Sequence, residues 1–534
     1  MNIEQIRTAA GAQSPLLSDP SCVNIYVGSS AADAAANVGA GRIAGLLTSA
    51  CTQRNLRARI VRTGSFGCSD LEPLVRVEKP GFFAILYNNV TPGGIAELME
   101  DAVNGSPRKA LCCAGEQRLS GIPHISELPL FGLQKRIALR NCGWVDPEDI
   151  SHYILQGQGY TGLARALQTD PSELAGTLIP SALRGRRTSG CSTADRWRQI
   201  AKTKDADAAL ICDAFDPESR ALAAPLLLES DPHSVLEGML IAAYAAGAAR
   251  CIVLIEEKTE AAERLRRALG QMRNYGLLGS GILDSRFGCE IEIRETPRSL
   301  TSGQRMEILR CLEEGQRLPH LVPAFPAVSE LAGKPVLTIG PEIASVLSGI
   351  PLGGPEESGG SRVVSLSGNV VHKRTVEVPV EMSIRAIIEN FGGGAAGGKA
   401  VKTVQLGGLA GPFIDPAALD LPIGSDTVEE LSSGAGTGSV EVLGADSRMV
   451  HTTKEIMAAI QSQSCGKCVF CREGCLQLLT ILEDILENKR RPQDLDLLAE
   501  LGDQMQTACL CAFGRMAPNP VLSAIELFRD EYED

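Results

Sequence analysis

The chain has 534 residues, with 64 Asp and Glu against 51 Lys and Arg, a net charge of −13 and an isoelectric point near 5.2. Its basic residues are spread along the whole length, which excludes nucleic acid and anionic membrane surfaces as principal partners. Seventeen cysteines, most standing singly in apolar stretches, are too few for a disulfide scaffold and suit a reducing cytoplasm; at roughly 100–200 residues per domain, the length implies three or four domains.

The start, Met-Asn-Ile-Glu-Gln-Ile-Arg, is polar and reads as neither a signal peptide nor a membrane anchor. Val23–Val27 predicts a strand, Ala31–Asn55 a long alanine-rich helix, and Ala58–Thr63 a second strand. Strand patterns continue at Val75–Glu78 and Phe82–Tyr87, and Pro92–Val103 starts a closing helix. This order suggests a small α/β domain resembling thioredoxin. Prolines at 123, 129 and 147 loosen the chain before helical segments near 147–183. Ala208–Asp213, Cys251–Glu256 and Cys289–Arg294 then read as strands alternating with helices at 233–249 and Thr259–Tyr275, the pattern of parallel βαβ units. The 233–250 stretch is the longest apolar run, but Asp231, His233 and Glu237 at its front mark a buried helix rather than a membrane span. Asp231-Pro-His233 is a helix-start signal.

A Gly and Pro-rich hinge, 351–361, opens a third unit, with a β-pair at Arg362–Asn369 and Arg374–Val380, a short helix at Ser383–Asn390 and a strand at Val401–Leu406. These suggest a compact β-grasp. From Thr452 onward the pattern is helical, and between two helices it reads Ser464-Cys465-Gly466-Lys467-Cys468-Val469-Phe470-Cys471-Arg472-Glu473-Gly474, followed forty residues later by Leu510-Cys511-Ala512-Phe513-Gly514. Three cysteines in a C-x-x-C-x-x-C run can grip one face of an iron–sulfur cubane, and a distant fourth can close it. The six histidines form no H-x-x-x-H ligand pair, so zinc chemistry is not expected, and the Ser-Gly run at 432–439 lacks the Gly-Lys-Ser/Thr of a phosphate loop.

The cysteine motif, Cys511-Ala-Phe-Gly-Arg-Met-Ala-Pro-Asn-Pro, Glu229-Ser-Asp-Pro-His-Ser-Val-Leu-Glu-Gly-Met-Leu-Ile-Ala-Ala-Tyr and Pro323-Ala-Phe-Pro-Ala-Val together resemble the NADH-binding flavoprotein subunit of complex I. The likeness extends to the longer form found as the β subunit of electron-bifurcating hydrogenases. It implies a [4Fe–4S] cluster on Cys465, Cys468, Cys471 and Cys511, with Cys475 and Cys509 as extra thiols beside it.

The family's other cofactor sites are altered. Its FMN loop, G-R-G-G-A-G-F-P-T-G, reads Gly185-Arg186-Arg187-Thr188-Ser189-Gly190-Cys191-Ser192-Thr193-Ala194 here, so side chains stand where glycines let backbone N–H groups reach phosphate. The N-A-D-E-G flavin segment has become Asp213-Ala214-Phe215-Asp216-Pro217, the G-E-E-T segment Gly303-Gln304-Arg305-Met306, and the Asn-Asn pair Ile339-Gly340. Arg187, Arg196 and Arg305 could fill such a pocket by pairing with Asp213 and Asp216. In the first domain, the G-C-x-G-x-C turn of [2Fe–2S] relatives reads Gly64-Ser65-Phe66-Gly67-Cys68-Ser69, and the other cysteine pair falls at Tyr26 and Ala31. Cys112-Cys113 is a neighbouring pair with no assigned role.

The expectation is a multidomain α/β protein: a lead at 1–20, a thioredoxin-like domain without a cluster at 21–115, a Rossmann-like flavoprotein core at 116–345, an SLBB-like β-grasp at 346–430, and a helical [4Fe–4S] domain at 431–534. The resemblance implies a cytoplasmic electron-transfer and scaffold subunit without FMN, NAD or a substrate site of its own. It would sit among flavin- or iron–sulfur-bearing partners in a hetero-oligomeric complex of the electron-bifurcating, anaerobic kind. An FMN-dependent NADH:acceptor oxidoreductase subunit with an altered flavin site, and a purely structural subunit, are the alternative readings.

Overall fold

The computed structural model describes residues 1–15, 19, 21–28, 39–79, 83–104, 110–114, 118, 121–178, 187–188, 191–192, 208–214, 222–296, 312, 330–331, 334–349, 360–432 and 438–533. Among these residues it is a mixed α/β molecule with three five-stranded sheets and a C-terminal group of helices.

The N-terminal stretch is a helix, α1 (Ile3–Gln13), started by a reciprocal capping box between Asn2 and Gln5. Ile6 and Ala10 are fully buried in the core around the second sheet, so the expected lead is part of the central packing. The first sheet comprises β1 (Val23–Gly28), β2 (Ala58–Thr63), β3 (Leu74–Lys79), β4 (Phe83–Tyr87) and β5 (Cys112–Cys113), in the order β2-β1-β3-β4-β5. Only β1 and β2 run parallel. Helices α2 (Ala40–Gln53) and α3 (Ile95–Asn104) cover one face through Ile43, Leu47, Leu98 and Met99. The helix expected from residue 31 begins at Ala40, where Gly39 takes the cap position; residues 31–38 lie outside the described ones. Short helices α4 (Ile150–Leu155) and α5 (Thr161–Ala166) follow.

A two-residue pairing of β6 (Arg187–Thr188) and β7 (Cys191–Ser192) precedes the second sheet. That sheet holds β8 (Ala209–Asp213), β9 (Arg250–Glu256), β10 (Glu290–Thr296), β11 (Glu330–Leu331) and β12 (Lys334–Ile339), ordered β10-β9-β8-β12-β11. The strands β10, β9, β8 and β12 are parallel, as the alternation with helices predicted, and β11 is antiparallel. The helices are α6 (Ala223–Ser230), α7 (Pro232–Ala246), α8 (Glu260–Asn274) and α9 (Pro341–Ser348). Helix α7 is apolar all round and buried over nearly its whole length, and Asp231 caps it by accepting from the Ser234 N–H. No described helix is long and apolar enough to cross a membrane.

The third sheet has the order β14-β13-β17-β15-β16, from β13 (Ser361–Gly368), β14 (Thr375–Pro379), β15 (Val401–Leu406), β16 (Phe413–Ile414) and β17 (Ser439–Gly444). Helix α10 (Ile384–Gly392), capped by Ser383, buries Ile384, Ile387, Ile388 and Phe391 against it. Strand β17 lies on the helical side of the expected division at residue 431, yet it is hydrogen-bonded between β13, parallel, and β15, antiparallel. Its alternation is too short to stand out beside the helical text that follows. The C-terminal helices are α11 (Met449–Gln463), α12 (Val469–Leu486), α13 (Asp494–Ala508), α14 (Ala512–Met516) and α15 (Asn519–Phe528).

Candidate iron–sulfur centre

Helix α11 ends at Gln463, and the chain turns through Cys465 and Gly466 before α12 starts. Gly466 has φ +72°, a left-handed value that L side chains rarely adopt, and it turns the chain between Cys465 and Cys468. Cys468 is the cap residue of α12 and Cys511 the cap of α14, so two of the four candidate ligands sit where unpaired helix N–H groups favour negative charge. The Gly514 N–H lies 3.4 Å from Cys511 Sγ. Cys471 is one turn into α12, its sulfur 3.4 Å from the Ser464 hydroxyl. Cys468, Cys471 and Cys511 are buried in the helical core beside Leu478 and Met505, whereas Cys465 is exposed.

The charges of Cys471, Cys465 and Cys468 all reach the Cys511 thiol, which burial pushes up to about 11 while the Gly514 N–H pulls it down. Hydrogen bonds from the thiols of Cys475 and Cys509 hold Cys471 below the usual thiol range. Cys475 and Cys509 are raised, first by giving those bonds to Cys471 and then by burial. Cys475 and Cys509 are therefore packed against the same sulfur. Among the described residues, no three Cys, His, Asp or Glu side chains converge as they would on a single ion. A cubane gives each of four thiolates its own iron, so its ligands surround a volume instead of meeting at a point. The four-thiol donor set, the burial of three of its members and the flanking helix starts are compatible with that group.

Two arginines brace the loops, and the cysteine spacing does not point to them. Arg472 donates to the Gly466 carbonyl at 2.8 Å, and Arg515 Nε to the Cys509 carbonyl at 2.9 Å. Each lies within a stretch that carried the family resemblance, which was the available signal. Gly514 has no room for a side chain, since a Cβ there would stand 2.9 Å from Cys509 Cβ.

At the second sheet, the structure brings together two of the four altered cofactor patches. Ile339 pairs with Cys212 in register, so Asp213-Ala214 and Gly340 lie side by side at the carboxyl ends of parallel strands, where open α/β sheets hold ligands. Ile339 is buried in the core, and neither it nor Gly340 offers the side-chain hydrogen bonds of an Asn pair. The patch at 303–306, Phe215-Asp216-Pro217, Arg196, and the loop at 185–194 apart from the backbone of β6 and β7, lie outside the described residues, as does Pro323–Val328.

In the first sheet, Tyr26 is buried with the Arg76 guanidinium 3.9 Å from its ring centroid, and Arg76 also lies 4.6 Å from the Trp144 ring. Ser65 donates to Glu72 at 2.5 Å, and its oxygen accepts the Gly67 N–H at 2.9 Å. The turn docks on the third sheet: the Thr375 N–H bonds to the Gly67 carbonyl, and Cys68 is buried in that sheet's core. Ala31 lies outside the described residues. Tyr26, Ser65 and Ser69 supply no thiolate, so these positions do not fit a [2Fe–2S] cluster.

Comparison with known proteins places both regions. Residues 451–534 match the model of the NADH-ubiquinone oxidoreductase-F iron-sulfur binding region, and residues 180–333 that of the Nuo51 FMN-binding domain. The chain is 36% identical over 411 residues to the NADP-reducing hydrogenase subunit HndC of Solidesulfovibrio fructosivorans, covering 75% of this chain and 83% of that one. It is 30% identical over 406 residues to the F 2 subunit of the NADH-quinone oxidoreductase of Rhizobium meliloti (strain 1021), covering 74% and 96%. In fold it resembles a chain of the NAD+-reducing [NiFe]-hydrogenase in the H2-reduced state, with a TM-score of 0.61 at 20% identity over 99% of this chain and 89% of the other. On the first two relatives, this chain belongs to the family of NADH-binding flavoprotein subunits of NADH-quinone oxidoreductases and their hydrogenase counterparts.

Proposed function

We propose that this protein is an electron-transfer and scaffold subunit of a multi-subunit cytoplasmic redox complex, holding one [4Fe–4S] cluster and no working NADH or FMN site. The observation that supports this reading is the placement of Cys468 and Cys511 at two helix starts, with the charges of Cys465, Cys468 and Cys471 reaching the Cys511 thiol, within the segment matching the family's iron–sulfur region. When bound, such a cluster accepts and passes one electron at a time. Cys468, Cys471 and Cys511, with Cys465, would hold it, the first three in an apolar surround; the Gly514 N–H and the helix starts would favour its negative charge, and both would tune its potential. The exposed Cys465 marks the side nearest solvent.

The absence of a flavin site is read from the altered residues, Ile339-Gly340 and Asp213-Ala214 among them. The thioredoxin-like, Rossmann-like and β-grasp units, with boundaries near 115 and 345 and the last extended past β17 to about 444, are part of the same proposal. The relatives are subunits by name, which supports partners carrying flavin or further clusters. Anaerobically purified protein should contain about four irons per chain and show a reduced-state EPR signal. It should also lack an absorbance band near the flavin region after acid extraction. Iron at background would remove the relay and leave a structural subunit.

A second reading, an FMN-dependent NADH:acceptor oxidoreductase with a reshaped site, is favoured by the match of residues 180–333 to the FMN-binding model. Extractable FMN that NADH bleaches would decide for it.

A further inference from the structure

We propose that Cys251 and Cys289 are a peroxide-sensitive dithiol that closes reversibly into a disulfide, stapling strand β10 to strand β9 at the edge of the second sheet. Their sulfurs lie 3.4 Å apart, and both residues are buried. They lie outside the candidate cluster, and within residues 180–333 they belong to none of the altered flavin patches at 185–194, 213–217 and 303–306. Cys251 is in β9, and Cys289 immediately precedes β10, which pairs with β9 in parallel register, Ile291 opposite Cys251. The backbone of Cys289 is clamped, exchanging two 2.9 Å hydrogen bonds with Gly279, while the next residue's N–H bonds to the Ala249 carbonyl at 3.1 Å. In that register Cys289 stands two residues short of the position opposite Cys251, a diagonal of roughly 8 Å between Cα atoms. Bringing the sulfurs from 3.4 Å to a disulfide length of about 2.05 Å therefore takes a shift of the Cys289 end of the strand as well as side-chain rotation. A third thiol, Cys212, lies in the same core on the neighbouring strand β8, but Cys251 makes its sulfur contact with Cys289.

Access follows from topology. Strand β10 is at the sheet edge, and Cys289 stands at its first end, where local opening costs less than in the sheet centre. On opening, the Cys289 sulfur attacks one oxygen of hydrogen peroxide. An S–O bond forms, the O–O bond breaks, and the leaving hydroxide takes the thiol proton as water. The Cys251 sulfur then attacks the Cys289 sulfur; the S–S bond forms, the S–O bond breaks, and hydroxide leaves with the Cys251 proton as a second water. Two electrons pass from the sulfur pair to peroxide. Thiol reductants reverse the product by exchange.

The test is peptide mapping of the full chain after hydrogen peroxide treatment, blocking of free thiols and proteolysis without reductant. A peptide pair joined through Cys251 and Cys289, lighter by two hydrogens than its parts and lost on dithiothreitol, is expected. Cys212→Ser should retain the link and Cys289→Ser abolish it. After identical peroxide treatment the thermal midpoint of the wild type should exceed that of Cys289→Ser by more than before treatment, and dithiothreitol should remove the added difference. Recovery of both cysteines as blocked thiols after other cysteines have oxidised, or a Cys251–Cys212 link, would overturn the proposal.

Discussion

Burial sets the protonation state of His233. His233 is fully enclosed, with Nδ1 2.9 Å from the Tyr160 hydroxyl and Nε2 3.1 Å from Gln271 Oε1. Burial lowers its pKa to about 4, so it folds neutral. Between pH 6.5 and 4 the unfolded chain binds a proton at this site that the native chain does not, and stability falls as pH falls through that window. One pH unit below the unfolded value, this costs about 1.4 kcal/mol. His233→Gln should therefore lose about 1 kcal/mol less than the wild type between pH 7 and pH 5.5, read from urea midpoints at each pH. At the candidate centre, Cys468→Ser replaces a thiolate with a hydroxyl and should cut iron from about four per chain to background, with loss of the EPR signal. Retention of full iron would reassign the ligand to Cys475 or Cys509.

Packing between elements leaves two glycines with opposite roles. Gly238 on α7 lies where α9 crosses, and a Cβ there would fall 1.7 Å from the Ala344 carbonyl oxygen. Since backbone is struck, the helices must separate, and Gly238→Ala should cost about 3 kcal/mol and lower the melting temperature. Gly270 on α8 faces open space, with nothing within 4 Å of a Cβ. Gly270→Ala should stabilise by about 0.5–1 kcal/mol, because the helix is kept and the unfolded chain loses freedom. Thermal melts of the pair should move in opposite directions. Both glycines interrupt helical text, and although Gly238 lies in an apolar stretch that carries the family resemblance, the clash it avoids is set by its neighbour.

Across the whole molecule, the third sheet is tied to the rest by charge. The Glu377 carboxylate on β14 accepts from the Ile137, Ala138 and Leu139 N–H groups at 2.8, 3.0 and 2.9 Å, and from the Ser361 hydroxyl at 2.5 Å, fully buried. Arg374 makes a bidentate pair with Asp70, at 2.8 and 2.6 Å, in the loop following the Ser65 turn. Glu377→Ala leaves three backbone donors buried without this acceptor and should cost about 3 kcal/mol or more. Urea unfolding followed by both far-UV and fluorescence signals should then separate into non-coincident transitions if this contact couples the sheets.

Local pattern was enough for the elements whose signals lie within a few residues. The parallel alternation of β8, β9 and β10, the Asp231 cap and the break between α11 and α12 at the cysteine run follow from periodicity, capping chemistry and spacing. The four candidate ligands were legible because cysteine spacing carries its own chemistry, and the family flanks agreed with it. Helix α1 stands where only a lead was expected: its Asn2–Gln5 capping box is a local signal that sequence reasoning missed, and its burial against the second sheet's core depends on distant residues. The insertion of β17 between β13 and β15 likewise rests on pairing across tens of residues, as does the docking of the Ser65 turn on the third sheet. The sequence by itself determined the cysteine set, the family and the runs that become strands and helices, because side-chain chemistry and periodicity are local. Tertiary structure alone decided which sheet each strand joined, which glycine tolerates a methyl group and which buried thiols meet, because these depend on distances between residues far apart in the chain.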